Sequence, residues 1–194
     1  MRGAVIVGLA LVSTTARADG FIEGDVGIAV PIGDDDYDNS VDNSIKLGVR
    51  VGTATKFGGI DLSYDFTPYS DELSDLFDVS IQRHRFLLGA RYQQPINPKA
   101  RFFVRAAGGL DLIHYNVSGS FLGVDVDNSE TDAGIGLEFS GGVLFDIGKL
   151  SLGAKFGIPI AFHFNEDDPN DQTDADLDYT AVDFDFAFMV HVPF

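Results

Sequence analysis

The sequence predicts an all-β chain: an eight-stranded antiparallel up-and-down transmembrane β-barrel with long loops at one end and short turns at the other. The first observation is that apolar side chains alternate with polar or small ones along eight segments, as in strands with two different faces. The second is that long polar connections alternate with short ones, which is how barrels that span membranes are built. The third is strand length, which is near the 9–11 residues that cross a bilayer as a tilted strand.

The predicted strands are 21–32, 45–54, 57–66, 79–92, 101–114, 133–146, 149–163 and 179–194. The last strand shows the alternation most clearly, because one face carries Phe184, Phe186, Phe188, Val190, Val192 and Phe194. The fourth strand is less regular: Gln82 and His84 fall on its apolar face and would have to lie above the membrane band. Pro159 inside the seventh strand predicts a bulge, since proline cannot donate to the ladder.

The long connections between strands hold most of the acidic residues. The short turns fall near 53–56, 93–100 and 147–148, and the long loops are 33–44, 67–78, 115–132 and 164–178. These loops hold 5, 4, 4 and 7 acids in order and no Lys or Arg, which is 20 of the 30 acids in the chain. One end of the barrel is therefore expected to be strongly acidic, while its body is almost neutral.

Residues 1–18 have the parts of a secretory signal peptide, which leaves 19–194 as the barrel domain. Arg2 supplies the positive start, Ala4–Val12 the apolar stretch, and Ala16-Arg17-Ala18 a small-residue cleavage site. This apolar stretch is too short to span a bilayer as a helix, which needs about 20 residues. The mature chain is expected to begin at Asp19 after export.

Composition excludes several classes of protein. The chain has no cysteine, which excludes disulfides, thiolate metal sites and cysteine catalysis. Its formal net charge is -17, so it lacks the surplus of Lys and Arg that contacts with nucleic-acid phosphates need.

Within the predicted strands, most charged residues fall on the face opposite the apolar one. The acids of this face are Glu23, Asp25, Asp61, Asp65, Asp111, Glu138, Asp183 and Asp185, and the bases are Lys46, Arg50, Arg83, Arg85, Arg91, Arg101, Arg105 and Lys155. Eight acids against eight bases is the balance expected of a narrow lumen, because an unpaired buried charge is costly. These sixteen residues are predicted to form an ion-paired network inside the barrel.

The chain ends on an aromatic residue with apolar residues at alternate positions before it, namely Phe188, Val190, Val192 and Phe194. With its signal peptide, eight two-faced strands and the segment Phe86–Tyr92 (FLLGARY), it resembles the small bacterial outer-membrane barrels of the OmpA-barrel and OmpX type. The resemblance implies an outer-membrane location, insertion by the barrel-assembly machinery through those four terminal residues, contact with outer-membrane lipids and lipopolysaccharide, and a monomer. Because tryptophan is absent, the aromatic girdles of such a barrel would rest on Tyr64, Tyr92, Tyr179 and phenylalanine.

Two acidic triplets are weak candidates for Ca²⁺ or for divalent bridges to lipopolysaccharide phosphates. Asp34, Asp36 and Asp38 have the alternating spacing that a hard cation can use, as do Asp174, Asp176 and Asp178. The EF-hand pattern fails, because Asn39 or Tyr179 stands where that loop needs glycine. The expectation is a solvated acidic loop, without a bound cofactor.

A structural or surface-interaction role is the main functional expectation, with three alternatives. A narrow channel or transporter for small solutes would need a lateral opening or an apolar lumen patch, and Leu87, Phe103 and Leu144 are the bulky apolar residues predicted to point inward. A soluble, lipocalin-like ligand-binding barrel would have its apolar face inside. An outer-membrane lipid-modifying enzyme would need His, Ser and a carboxylate within hydrogen-bond reach. His114 and Ser118 are close in sequence but no nucleophile motif surrounds them, so no catalytic residue and no enzymatic activity are expected.

Overall fold

The computed structural model describes residues 19–32, 42–55, 57–74, 77–121, 124–163 and 180–194. These residues form a closed antiparallel barrel in which each strand pairs with the next in sequence, so the predicted fold class is confirmed. The strands are β1 Asp19–Pro31, β2 Ser44–Ala54, β3 Gly58–Ser74, β4 Phe77–Asn97, β5 Ala100–Phe121, β6 Val124–Ile147, β7 Leu150–His163 and β8 Thr180–Pro193. Within these ranges, no helix is long and apolar enough to cross a membrane. The predicted signal peptide lies outside the described residues.

The barrel closes where β1 pairs with β8, from Phe21 opposite Pro193 to Pro31 opposite Asp183. Beyond this ladder, the backbone N–H of Phe194 donates to the carbonyl oxygen of Gly20 at 2.8 Å. We call the end that holds Asp19, Phe194 and the short turns the turn end, and the opposite end the loop end.

The period-two alternation of the sequence becomes the two faces of the barrel wall. Apolar side chains point outward and are exposed, as at Leu62 (60%) and Phe188 (65%). Charged side chains point inward and are buried, as at Glu23 and Asp111, which have no exposed surface. This is the reverse of a water-soluble barrel, in which the apolar face would fill the interior.

Two of the predicted long loops are largely strand. The β3–β4 ladder continues to Ser74 opposite Phe77, and the β5–β6 ladder continues to Phe121 opposite Val124. The predicted loops 67–78 and 115–132 were therefore too long. Ladder hydrogen bonds need only the backbone, so a hairpin can continue through polar sequence in which the apolar alternation has stopped.

Pro159 does not cause the predicted bulge. The β7–β8 register is the same before and after it, with Gly157 opposite Asp185 and Ile160 opposite Val182. What changes is the ladder, because the two pairings between these points are missing. A proline has no N–H to donate, so a ladder hydrogen bond is lost although no extra residue is inserted into the strand.

The β2–β3 ladder also ends early. Its last pairing is Leu47 opposite Phe66, although both strands continue toward the loop end. Pro68 stands just beyond this point, and its carbonyl oxygen accepts a hydrogen bond from the Ser44 hydroxyl instead. A proline therefore stands in each of these two interrupted stretches of the wall.

Candidate functional site

The interior of the barrel is filled by ionisable side chains. Fifteen of the sixteen residues predicted to form the lumen network are no more than 7% exposed. The acids are Glu23, Asp25, Asp61, Asp65, Asp111, Glu138, Asp183 and Asp185, and the bases are Lys46, Arg50, Arg83, Arg85, Arg91, Arg105 and Lys155. The remaining residue, Arg101, lies at the mouth of the turn end, where its half-buried guanidinium contacts Asp146 at 2.8 Å.

Asp65 lies at the centre of the network and is shared by three cations. Its carboxylate is 3.4 Å from Arg50, 3.6 Å from Lys46 and 3.9 Å from Arg85. Lys46 and Arg85 also contact Asp185, the latter at 3.2 Å. Asp65 and Asp185 each contact more than one cation, so removal of one cation leaves others in contact.

Glu138 and Asp25 extend the shared contacts across the lumen. Glu138 is 3.0 Å from Arg105 and 4.0 Å from Lys155, and Asp25 is 2.5 Å from Arg50 and 3.5 Å from Lys155. The bases therefore bridge carboxylates on different strands. Such bridging ties opposite walls of the barrel together through its middle.

Arg105 and Arg83 each make several contacts with one acid. Arg105 contacts Asp61 through Nε and Nη2, at 3.0 and 2.7 Å. Arg83 contacts Asp111 through Nε and Nη2, at 2.9 and 2.8 Å, and reaches Asp183 with Nη1 at 2.5 Å. The planar guanidinium matches the carboxylate in such pairs, which fixes geometry as well as charge.

Apolar clusters lie on the loop-end side and on the turn-end side of the charged network. The loop-end layer consists of Tyr69, Ile81, Ile113, Ala161 and Ala181. The turn-end layer consists of Phe103, Leu144 and Met189. The sequence prediction of inward Phe103, Leu144 and Leu87 agrees with their burial, but it omitted the other bulky members. Tyr69 fell in a predicted loop. Ile81 and Ile113 alternate in step with Arg83, so the sequence could have predicted that they point inward.

A cavity of about 570 Å³ opens at the turn end. Ser151 and His191 line it and lie directly opposite each other on β7 and β8. His191 Nδ1 is 2.9 Å from Glu23, but the Ser151 hydroxyl donates to Asp146 at 2.7 Å. No hydrogen bond joins Ser151 to His191, so the nucleophile–base contact of a serine hydrolase is missing from this pair.

The other serine and histidine candidates do not form a hydrolytic cluster. His114 Nδ1 is 2.9 Å from the Thr131 hydroxyl on the outward face. The side chain of Ser118 lies outside the part of the chain that is described.

The outward face has a polar border near the loop end. We call Gln82, His84, His114 and Thr131 the loop-end collar. Gln82, His114 and Thr131 lie side by side across β4, β5 and β6. His84 lies one row closer to the turn end, and the centroid of its ring is 6.1 Å from that of Tyr64 and 5.1 Å from that of Phe66. Gln82 and His84, which were predicted to lie above the membrane band, are thus on the outward face, on the loop-end side of the apolar residues of β4.

The remaining predicted sites are placed as follows. Phe188, Val190, Val192 and Phe194 are all exposed on the outward face of the last strand and its end. The acidic triplets at 34–38 and 174–178 lie outside the described residues, as does Tyr179. Among the residues that are described, no group of three His, Asp or Glu side chains could hold a metal ion.

The sequence matches no protein-family model and no curated protein. Solved structures are similar over nearly the whole chain. The major outer membrane protein of Thermus thermophilus has a TM-score of 0.63 at 11% identity, covering 91% of this chain and 99% of that one. Neisserial surface protein A has a TM-score of 0.55 at 14% identity, covering 90% and 97%. Ail, the attachment invasion locus protein of Yersinia pestis, has a TM-score of 0.53 at 13% identity, covering 90% and 98%. The chain therefore has the fold of the small eight-stranded outer-membrane β-barrels.

Proposed function

We propose that this chain is a bacterial outer-membrane barrel with a structural or surface-interaction role and a lumen closed to solutes. The observation that carries the proposal is the sequence of layers in the lumen. From the turn end these are the mouth cavity, the charged network with the turn-end layer at its edge, and the loop-end layer. A hydrated ion would have to separate bases from the carboxylates that they share and then pass the loop-end layer, which is costly in a low-dielectric interior.

The outward face supports the membrane placement. Exposed apolar side chains cover every strand, and the tyrosines Tyr64 and Tyr92 lie on the outward face at different heights, Tyr92 nearer the turn end. In the proposed orientation the turn end, which holds Asp19 and Phe194, faces the periplasm. Phe188, Val190, Val192 and Phe194 would then be the signal read by the barrel-assembly machinery. A soluble ligand-binding barrel is disfavoured, because its apolar side chains would point inward.

Contacts with the outside would be made by the loop end. Loops 33–44 and 164–178 are rich in carboxylates, and divalent cations held between them and lipopolysaccharide phosphates would anchor the barrel among its neighbours. The hairpin tips β3–β4 and β5–β6 extend beyond the last β2–β3 pairing and give a partner protein or surface something to contact.

A second candidate function is transport of a small apolar solute. The loop-end layer supplies the apolar lumen patch that this function requires, and the β2–β3 seam is unpaired beside it. The charged network beneath opposes passage through the whole barrel. A solute that entered would have to leave sideways, through the wall.

Single-channel conductance of the refolded chain in a planar bilayer tests the main proposal. We expect no steady conductance from the wild type. Arg105→Ala, which removes a network cation, is compared with Arg101→Ala, which removes a base at the mouth. A steady wild-type conductance that changes in Arg105→Ala but not in Arg101→Ala would establish an open lumen and overturn the proposal. A chain that never enters the bilayer would overturn the membrane placement.

A further inference from the structure

The loop-end collar holds two histidines whose Nδ1 atoms are already occupied. His84 Nδ1 is 2.8 Å from the Tyr64 hydroxyl, and His114 Nδ1 is 2.9 Å from the Thr131 hydroxyl. A neutral imidazole has one nitrogen that donates and one that accepts. When each Nδ1 accepts its hydroxyl proton, the ring proton is held on Nε2, and both rings present an N–H donor for a further acceptor.

The two histidines are neighbours on the outward face. His114 lies opposite Gln82 on β4, and His84 is two residues further along that strand. Such diagonal neighbours in adjacent strands are about 7–8 Å apart at their Cα atoms, within reach of long side chains. At this spacing a single phosphate group, with several oxygens, has room to lie between the two imidazole rings.

The position of the collar identifies where such an anion would come from. The row immediately toward the turn end from His84 is Tyr64, Phe86, Leu110 and Ile135, all on the outward face. The collar therefore stands at the border of the apolar band, the depth at which lipid headgroups meet the barrel. Aromatic and amphipathic side chains concentrate at this depth in membrane barrels.

The collar also fills a gap in the charge distribution. Every Lys and Arg side chain that the structure describes lies in the lumen or at the turn end. Lipid phosphates at the loop end therefore meet no described lysine or arginine on the wall. The imidazole N–H groups are donors at that depth, as is the amide of Gln82.

We propose that His84 and His114 form a binding site for the phosphate of a membrane lipid headgroup on the outward face of β4 and β5. The site rests on the proposed membrane placement and names a partner of the outward face. Tyr64 and Thr131 are positioning residues, which hold each ring in the tautomer that donates from Nε2. The bond is a neutral N–H donating to a phosphate oxygen, so it needs no positive charge on the protein.

Histidine side-chain ¹⁵N signals of the chain in nanodiscs test the site directly. The nanodiscs are made of a phosphate-free galactosyl diacylglycerol, doped with either phosphatidic acid or diacylglycerol. His84→Phe and His114→Phe assign the two signals and keep an aromatic ring at each position. We expect phosphatidic acid to shift the Nε2 signals of both residues, and diacylglycerol to leave them unchanged. Equal shifts from inorganic phosphate alone would overturn the assignment to a lipid.

Retention of phosphatidic acid, measured by native mass spectrometry after detergent extraction, gives a second readout. Loss of one hydrogen bond to a charged group corresponds to about a tenfold loss of affinity. We expect each phenylalanine variant to retain less lipid, and the double variant least. Tyr64→Phe should weaken retention although it removes no group that contacts the lipid, and Tyr92→Phe, at the turn end, should not. Equal retention by the wild type and the double variant would overturn the proposal. This readout does not depend on whether the lumen conducts, so it separates the site from the proposed closed lumen.

Discussion

Arg91 and Glu23 form a bidentate ion pair at the turn-end edge of the charged network. Arg91 Nη1 donates to one carboxylate oxygen and Nη2 to the other, each at 2.5 Å. The same guanidinium carbon lies 4.6 Å from the ring centre of Phe103 and 5.1 Å from that of Phe21. The pair therefore joins the network to the turn-end layer, through charge on one side and cation–π contact on the other.

The first prediction concerns this pair. Both members are buried, so Arg91→Ala removes both guanidinium hydrogen bonds from the Glu23 carboxylate, leaves it the contact with His191, and should lower the free energy of unfolding by about 3–5 kcal/mol. Glu23→Ala should cost a similar amount. Replacing both residues by leucine should be less harmful than either single change, since no unpaired charge remains. Urea unfolding in detergent micelles, followed by the heat-dependent gel mobility of folded barrels, measures each value.

Arg101→Ala is the matched control for the first prediction. Its partner Asp146 is 39% exposed, and water can solvate the carboxylate once the arginine is gone. An exposed pair contributes no more than about 1 kcal/mol. Equal losses for Arg91→Ala and Arg101→Ala would mean that the buried network adds no more than a surface pair.

The second prediction concerns two neighbouring glycines on β1 and β2 that face opposite sides of the wall. A Cβ added to Gly48 would lie 2.5 Å from a carboxylate oxygen of Asp25 and 2.6 Å from one of Asp65. A Cβ added to Gly24 would meet nothing within 4 Å. Gly48→Ala should therefore displace two acids that hold Arg50 and lower the free energy of unfolding by about 1–3 kcal/mol. Gly24→Ala should be nearly neutral in the same assay, and the reverse order would contradict the inward position of Gly48.

The sequence predicted the class of fold because alternation is a local signal. The alternating position of residues such as Phe186 and Asp185 within a strand is enough to assign each side chain to the outer or inner face. The number and order of strands follow from counting the segments that alternate in this way. The positions that alternate with the apolar ones also identified the charged residues of the lumen, because a charged side chain on a membrane strand has to point away from the lipid. Parity cannot choose partners, however: that Asp65 takes Lys46, Arg50 and Arg85 depends on the stagger of strands around the barrel.

What the sequence did not predict has a physical cause in each case. The polar ends of β3–β6 show no apolar alternation, so their pairing is visible only in the backbone ladders. Within the loop-end layer, Tyr69 belongs to such a polar end, whereas the inward parity of Ile81 and Ile113 was present in the sequence. Predicting the loop-end collar also requires the register between strands, since Tyr64 and His84 are 20 residues apart in sequence. Pro159 interrupts pairing without a bulge, and a single strand read alone cannot distinguish these outcomes.

The third prediction concerns the turn-end layer. Leu144 is fully buried against Phe103 and Met189. Leu144→Ala should lower the free energy of unfolding by about 2–5 kcal/mol, because the closed interior cannot fill the space that is left. Leu88→Ala, on the outward face, should cost less, since lipid or detergent can move into the gap. Unfolding midpoints of the two variants in the same micelles give the comparison, and equal losses would indicate that solvent already reaches Leu144.

The last prediction concerns the end of the chain. Phe194 is 72% exposed, and its ring lies against Gly20 at the seam between the first and last strands. If this residue is part of the signal that the assembly machinery reads, Phe194→Ala should reduce the amount of barrel found in the outer membrane while refolding of the purified chain into detergent proceeds as before. Phe162→Ala removes an outward aromatic from β7 and should leave assembly in cells unchanged. Quantifying folded barrel in outer-membrane fractions against refolding yield separates recognition from stability. A Phe194→Ala chain that assembles normally in cells would show that the terminal aromatic serves only the seam.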